Sequence, residues 1–391
     1  MSYFLLQKIY YHKEIADNIQ ITYSEEHSEY RMNRTLLEYL ITVKSGIDEY
    51  PKLWEKYKKI TNPFEYIHTP IKRGNSPVCT LKPLSRSFFK MIEIDKLLSL
   101  TKYMPNKIKT FHLAEGPGGF IEALCLLRKN LDDVYYGMTL QNQIESNVPG
   151  WKKSDEFLLK NPIVKIENGI DGTGDLTHAK NLKYCWDNYH GSMHFVTGDG
   201  GFDFSVDFNK QEVSSTFLIF CQVAFAVATQ AKGGTFLLKL FDTFTHASLD
   251  LLYILSTLYE KVYFVKPFTS RSANSEKYVV CKDFRLYNSI NIVKKFYTIM
   301  NTCDPTKNIE RFLNCPIEKI YALNIEELNA IYGQQQLEMI TTTLSLIEEQ
   351  NLEKIQKYQK KNIQKCKSWC QKHNMPYNEQ QNKFMYQCAK R

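Results

Sequence analysis

An amine held in an apolar strand beside an acid can strip a proton from an alcohol, and this sequence offers such a pair. Lys239 lies near the end of GGTFLLKLFD, and Asp199 closes the apolar phrase that opens HFVTGDGGFDF. A lysine inside an apolar strand is costly unless it has a task or a partner. One account is a structural Lys239–Asp199 ion pair. The other makes Lys239 a base, since burial and a second nearby cation ease the loss of an ammonium proton near neutral pH. Lys90, in LSRSFFKMIEIDKLL, supplies that cation if its helix packs over the same edge, although by itself it reads as a surface lysine. Asp199 and Glu276, the latter in TSRSANSEK, would orient the two amines and balance their charge. Spacing alone leaves both accounts open.

A second candidate site is the stretch FHLAEGPGGF, residues 111–120. An apolar run ends in a glycine-rich turn, and FIEALCLL follows with apolar residues at helical spacing. Strand, tight turn, helix is the reading. Glycines let backbone N–H groups approach a ligand, and the helix points its positive end at the same spot. A plain structural turn accounts for this phrase too, because a lone glycine-rich turn is a weak signal.

These residues need elements to position them. VYYGMTL (residues 134–140) reads as a second strand, followed by a loop-rich insertion containing GIDGTGDL. Strands are expected to end at Asp199 and near Lys239, with helices at 214–230 and 246–259, then the strand VYFVKP and a last strand at 278–281. Strands alternating with helices imply an α/β fold, a mostly parallel sheet with helices on both faces. Ligands of such sheets bind at the carboxyl ends of the strands, where the glycine turn, Asp199 and Lys239 all fall.

The 391 residues allow two domains or one large domain with extensions. With 43% hydrophobic and 13% aromatic residues the chain can bury a sizeable core, which excludes a disordered protein. The net charge of +8 is uneven: residues 351–391 hold ten Lys/Arg against two Glu, leaving the remainder formally neutral. That basic end suits polyanion attraction, or else is a solvated helix face. Ten cysteines without paired spacing, and an N-terminus too polar for a secretory signal, fit reduced thiols inside a cell. The longest apolar stretch, 217–229, is too short to span a bilayer and is expected to be a core helix, so no membrane partner is expected.

Taken together, SRSFFK, AEGPGGF, GIDGTGDL, GDGGF, GGTFLLKLFD and KPFTSRSANSEKYVVCK stand in the order of a known family. The chain resembles the FtsJ-like 2′-O-ribose methyltransferases, and within them the cap-specific mRNA enzymes, over roughly residues 60–285. NPFEYI, residues 62–67, also looks like the segment entering their catalytic domain. The resemblance implies a Rossmann-like methyltransferase sheet at 83–300, with mainly helical extensions at 1–82 and 301–391. It implies S-adenosylmethionine as methyl donor, with no metal, and the 2′-hydroxyl of the first transcribed nucleotide of capped mRNA as acceptor. The family's Lys-Asp-Lys-Glu tetrad maps onto Lys90, Asp199, Lys239 and Glu276. Donor contacts would come from Ser85, Ala114, Glu115, Gly116, Pro117, Gly118, Gly119 and Phe120, with Asp175 and Leu176. Cap and RNA contacts would come from Lys44, Lys58, Asn209, Lys210, Gln211 and Glu276.

Two departures stand out. Many methyltransferases end the second strand in an acid that holds the donor ribose, whereas here Met138, Thr139 and Leu140 occupy that place, a phrase the cap enzymes share. Glu115 stands where a small neutral residue is commoner, to meet the donor's cationic end or to repel its carboxylate. Upstream, basic residues interleave with Trp54, Tyr57, Phe64 and Tyr66, a pattern of nucleic-acid surfaces and equally of amphipathic helices. In the basic end, Cys366 and Cys370 are spaced as on one helix face and not as a zinc knuckle, even with His373 and Cys388 nearby. The alternatives are an FtsJ-type enzyme for ribosomal or transfer RNA, and a non-catalytic RNA-binding subunit. RNA polymerase or other capping enzymes are conceivable partners. Few accessory domains suit an enzyme of a large DNA virus, working in a virus factory or virion; a cellular enzyme would work in nucleus or cytoplasm.

Overall fold

The computed structural model describes residues 3–24, 32–71, 76–141, 150–201 and 208–378. Its ten strands are β1 (Tyr3–Leu5), β2 (Ile19–Tyr23), β3 (Lys109–Leu113), β4 (Val134–Met138), β5 (Val164–Ile166), β6 (Met193–Gly198), β7 (Gln230–Leu240), β8 (Tyr259–Val265), β9 (Lys277–Phe284) and β10 (Ile309–Leu313). Eight form one sheet in the order β1-β8-β9-β7-β6-β3-β4-β5, while β2 pairs with β10 in a separate ribbon.

From β5 to β7 every pairing is parallel. Beyond β7 the pairings β7–β9, β8–β9 and β1–β8 are antiparallel. The sheet is thus mostly parallel, as expected, with an antiparallel margin made by β9 and β1. The cause is the connection between β8 and β9, which contains no helix, so β9 returns as in a long hairpin instead of crossing over.

The central strands are buried on both faces, which is why they read as apolar runs. Side chains alternate between two cores. Phe111, Leu113, Val196, Phe236 and Leu238 pack against helices Ala179–Tyr189, Gln211–Thr229, His246–Leu258 and Ile290–Thr302. Tyr135, Phe195, Leu237 and Val280 face helices Ser87–Leu98 and Gly119–Arg128, with Trp369 and Cys370 of helix Leu352–Lys372 behind them. Gln211–Thr229 is long and apolar enough to cross a membrane by composition, and 78% of its apolar window is buried in the first of these cores.

The flanking segments meet each other. β2 joins β10 across most of the sequence, and helix Lys319–Glu349 buries Leu337 and Ile340 against helices Arg34–Ser45 and Pro51–Thr61.

Candidate active site

The strand order reverses between β3 and β6, and the crevice beyond their carboxyl ends is where such sheets bind ligands. The glycine turn leaves β3 there, Asp199 leaves β6, and Lys239 is the penultimate residue of β7. Lys239 lies opposite Tyr278 in the β7–β9 register, which brings Glu276, just before β9, to the same edge. Helix Ser87–Leu98 lays Lys90 across it.

The four candidate residues meet. Lys90 Nζ is 2.6 Å from Glu276 Oε1. Lys239 Nζ is 3.3 Å from Asp199 Oδ1 and donates to the Asp199 carbonyl at 2.6 Å. Tyr278, which sequence reading passed over, joins the pairs: its hydroxyl lies 3.1 Å from Asp199 Oδ1 and 3.3 Å from Glu276 Oε1. The signal was available, since residues 276 and 278 are two apart at a strand start and share a face. Burial raises the Tyr278 phenol far above its ordinary range, and the two neighbouring carboxylates push the same way, so it stays a donor. Burial would raise Glu276 as well, but Lys90 and Lys239 outweigh it and hold the carboxyl well below the usual range. The result is two amines and two carboxylates, each at most 17% exposed, charge-balanced and open to the crevice.

Behind them the segment between β8 and β9 is fastened by charges that motif reading did not single out. Glu93 accepts from the Phe268 and Thr269 amides at 2.9 and 3.0 Å. Glu65 holds Arg271 in a two-pronged pair at 2.9 and 2.7 Å. Lys266, half-buried, donates to the carbonyls of Asn274 and Glu276 at 2.7 and 2.8 Å and to Asn274 Oδ1 at 3.1 Å. Three acceptors use all three donors of an ammonium. Burial, and then the charges of Lys277 and Lys90, push it down to about 7 even though Glu276 and Asp242 pull upward.

The glycine side is built from backbone. Ala114 (φ 52°) and Gly118 (φ 104°) turn the chain at positive φ. A Cβ on Gly119 would stand 2.2 Å from the hydroxyls of both Ser85 and Ser87, so only glycine lets the segment before helix Ser87–Leu98 close on the turn. The loops after β3, β4 and β5 are laced together by Glu115 N to the Met138 carbonyl (3.4 Å) and Gln141 N to the Thr173 carbonyl (2.7 Å). Gly174 packs onto the Thr139 carbonyl where a Cβ would sit at 2.1 Å. In GIDGTGDL, Asp171 accepts from Thr173 N (2.9 Å), Thr173 Oγ1 (2.7 Å) and Asn181 Nδ2 (3.0 Å), which fixes the approach to Asp175 and buried Leu176. Asp175 itself accepts from Thr177.

Glu115 turns inward. Its Oε1 accepts from the Phe120 amide at the start of helix Gly119–Arg128 at 2.5 Å, and its Oε2 is buried with no partner among the described residues. Burial first, and Asp199 second, push this carboxyl well above its ordinary value. The turn at 116–119, three glycines and a proline at a helix N-terminus, thus leaves room for backbone to approach an anionic or polar ligand end.

The expected cap and RNA residues fall in three places. Lys44 reaches Asp242 (3.6 Å), which Lys277 also approaches (3.4 Å), three residues past Lys239. Gln211 accepts from Ser275 at 2.7 Å, beside Glu276, and Asn209 and Lys210 lie exposed in the turn before it. Lys58 pairs with Glu55 on its own helix and has no contact with the tetrad. Of the cysteine cluster, the Cys366 thiol donates to the Pro63 carbonyl at 3.6 Å and the Cys370 thiol donates a hydrogen bond to Cys79, both cysteines being free. No group of three or more metal-ligating side chains occurs among the described residues. Cys388 and Phe202 of GDGGF lie outside the described residues.

Strand order, switch-point crevice and glycine cradle define a nucleotide-cofactor α/β fold. Residues 83–284 match the FtsJ-like methyltransferase family, more than half of the chain, and the chain belongs to that family, a class whose cofactor is S-adenosylmethionine. It is 39% identical to cap-specific mRNA (nucleoside-2′-O-)-methyltransferase 1 of Bos taurus over 44% of this chain and 21% of that protein. It is 29% identical to cap-specific mRNA (nucleoside-2′-O-)-methyltransferase 2 of Pongo abelii over 83% of this chain and 43% of that protein. The chain thus spans less than half the length of these curated relatives. A ribosomal RNA methyltransferase structure from Plasmodium falciparum is 20% identical with a TM-score of 0.36, covering 51% of this chain and 98% of that one, too distant to carry an argument.

Proposed function

We propose that the protein methylates the ribose 2′-hydroxyl of the first transcribed nucleotide of capped mRNA, with S-adenosylmethionine as donor. The observation that carries the reading is the unbroken run of contacts Lys90–Glu276–Tyr278–Asp199–Lys239 beside the glycine cradle. The names of the relatives support the acceptor, and a capped-RNA substrate implies an intracellular setting.

Bound donor supplies a sulfonium methyl already activated for displacement, so the chain's tasks are to hold the acceptor oxygen in line and to remove its proton. The 116–119 turn, Ser85 and the Asp175–Leu176 loop would hold the donor. Lys239 takes the hydroxyl proton. Asp199 anchors Lys239, Tyr278 ties Asp199 to Glu276, and Glu276 fixes Lys90, whose remaining donors steady the acceptor oxygen. Lys44 and Gln211, on the same edge, face the cap and first nucleotide.

Lys239→Ala tests the assignment. It is expected to cut methyl transfer to capped RNA by about 10²-fold or more while calorimetric affinity for S-adenosylmethionine stays at the wild-type value. Wild-type turnover in Lys239→Ala would end the proposal, and wild-type turnover in Asp199→Ala would make the cluster structural.

A further inference from the structure

The C-terminal helix Leu352–Lys372 lies outside the family match and carries much of the chain's positive charge. Its packing face is apolar: Ile355 and Tyr358 join Trp54, Tyr57 and Ile60 of helix Pro51–Thr61. Asn362 Nδ2 then donates to the Ile60 and Asn62 carbonyls at 2.8 and 3.3 Å, which fixes the helix pair in register. The opposite face is a stripe. Lys357, Lys361, Lys365 and Lys372 fall within a quarter-turn of one another at 3.6 residues per turn, along about 22 Å of helix. All are exposed except Lys365, which is half-buried.

The neighbouring helix repeats the pattern. Lys52, Lys56 and Lys59 are exposed at the spacing of one face. No carboxylate among the described residues pairs with any of these seven lysines; Glu55 is engaged by Lys58 and Glu349 by Lys354, and Glu353, one turn before Lys357, is the single acid of the C-terminal helix. Burial, and then the charge of Lys361, lower the proton affinity of Lys365, a sign of crowded like charge. Surface lysines ordinarily alternate with acids, so exposed rows of one sign are unbalanced until a polyanion meets them.

Contacts through the core join this helix pair to the tetrad. Helix Pro51–Thr61 runs into Asn62 and Glu65, and Glu65 grips Arg271 of the segment that ends in Glu276. We infer that the paired helices Pro51–Thr61 and Leu352–Lys372 form a track for the body of the RNA, holding phosphates downstream of the methylated ribose. The inference rests on the reading of the acceptor as capped RNA. It adds an RNA-contacting surface supplied by segments on either side of the catalytic domain.

The test is the triple variant Lys357→Gln/Lys361→Gln/Lys372→Gln in the full chain. Its affinity for a long RNA is read by fluorescence anisotropy across a salt series, and its KM with the same RNA capped. Three lost phosphate contacts should flatten the slope of log affinity against log salt by about 2 and raise KM about tenfold at moderate salt. Donor affinity and Tm should match wild type, and the matching Lys→Arg triple should restore the slope. An unchanged slope and KM would overturn the track. So would wild-type RNA binding accompanied by lost binding to vesicles rich in anionic lipid, or to an acidic peptide. Should wild type itself fail to methylate capped RNA, the proposed function falls, and the anisotropy slope still decides the track.

Discussion

The two sides of the crevice are built by different means. On the glycine side, position comes from backbone: positive φ at Ala114 and Gly118, a missing Cβ at Gly119, amide bonds that tie one loop to the next. On the tetrad side it comes from charge: Lys90 on Glu276, Lys239 on Asp199, Arg271 on Glu65, with Tyr278 and Lys266 filling the remaining donor and acceptor sites. A side fixed by backbone is suited to a constant ligand, the methyl donor. A side fixed by ions can place an amine beside an acceptor hydroxyl, which a backbone cradle cannot do. The contrast predicts that substitutions should separate donor binding from chemistry.

The largest effect should come from Glu276→Gln. It leaves Lys90 Nζ without its 2.6 Å anion, and truncating one partner of a buried pair costs several kcal/mol. Turnover should fall by about 10²-fold or more, with donor affinity unchanged by calorimetry; a fall in both would merge the two sides. Gly119→Ala should act on the other side alone. Its Cβ would meet Ser85 and Ser87 hydroxyls at 2.2 Å, and overpacking costs about 1–3 kcal/mol, read as a lower Tm and weaker donor binding. Asp171→Ala removes an acceptor shared by Thr173 and Asn181, and should weaken donor binding by about 1–3 kcal/mol while single-turnover chemistry at saturating donor stays near wild type.

The smallest effect concerns pH. Lys266 titrates at about 7 in the folded protein against an ordinary value of 10.5. Between those values the unfolded chain holds more protons, so this lysine makes stability rise with pH across that window, with no contribution to the slope below about 7. Melting curves of Lys266→Met and wild type from pH 7 to 10 should therefore diverge, wild type gaining a few degrees relative to the variant. Parallel curves would mean that the Lys266 ammonium is not strained.

The same contrast explains what the sequence disclosed. Strand, turn and helix at 109–128 are legible because a glycine turn is a local device. Asp199 and Lys239 are legible as an acid and an amine at strand ends, and the motif order named Lys90 and Glu276. Their meeting is tertiary: it needs β9 to return beside β7 in a hairpin-like step that no local pattern announces. β1 and the β2–β10 ribbon were missed because strands of three to five residues pairing across hundreds of positions leave little local pattern. Lys266 and Arg271 were passed over because what makes each matter, three acceptors or a buried carboxylate, lies far away in the chain.

The most direct test of the account is methyl transfer from labelled S-adenosylmethionine to two capped RNAs that differ only in having ribose or 2′-deoxyribose at the first nucleotide. The account predicts label on the ribose substrate and background on the deoxy one, with Lys239→Ala at background on both. Equal labelling of the two RNAs by the wild-type protein would contradict it.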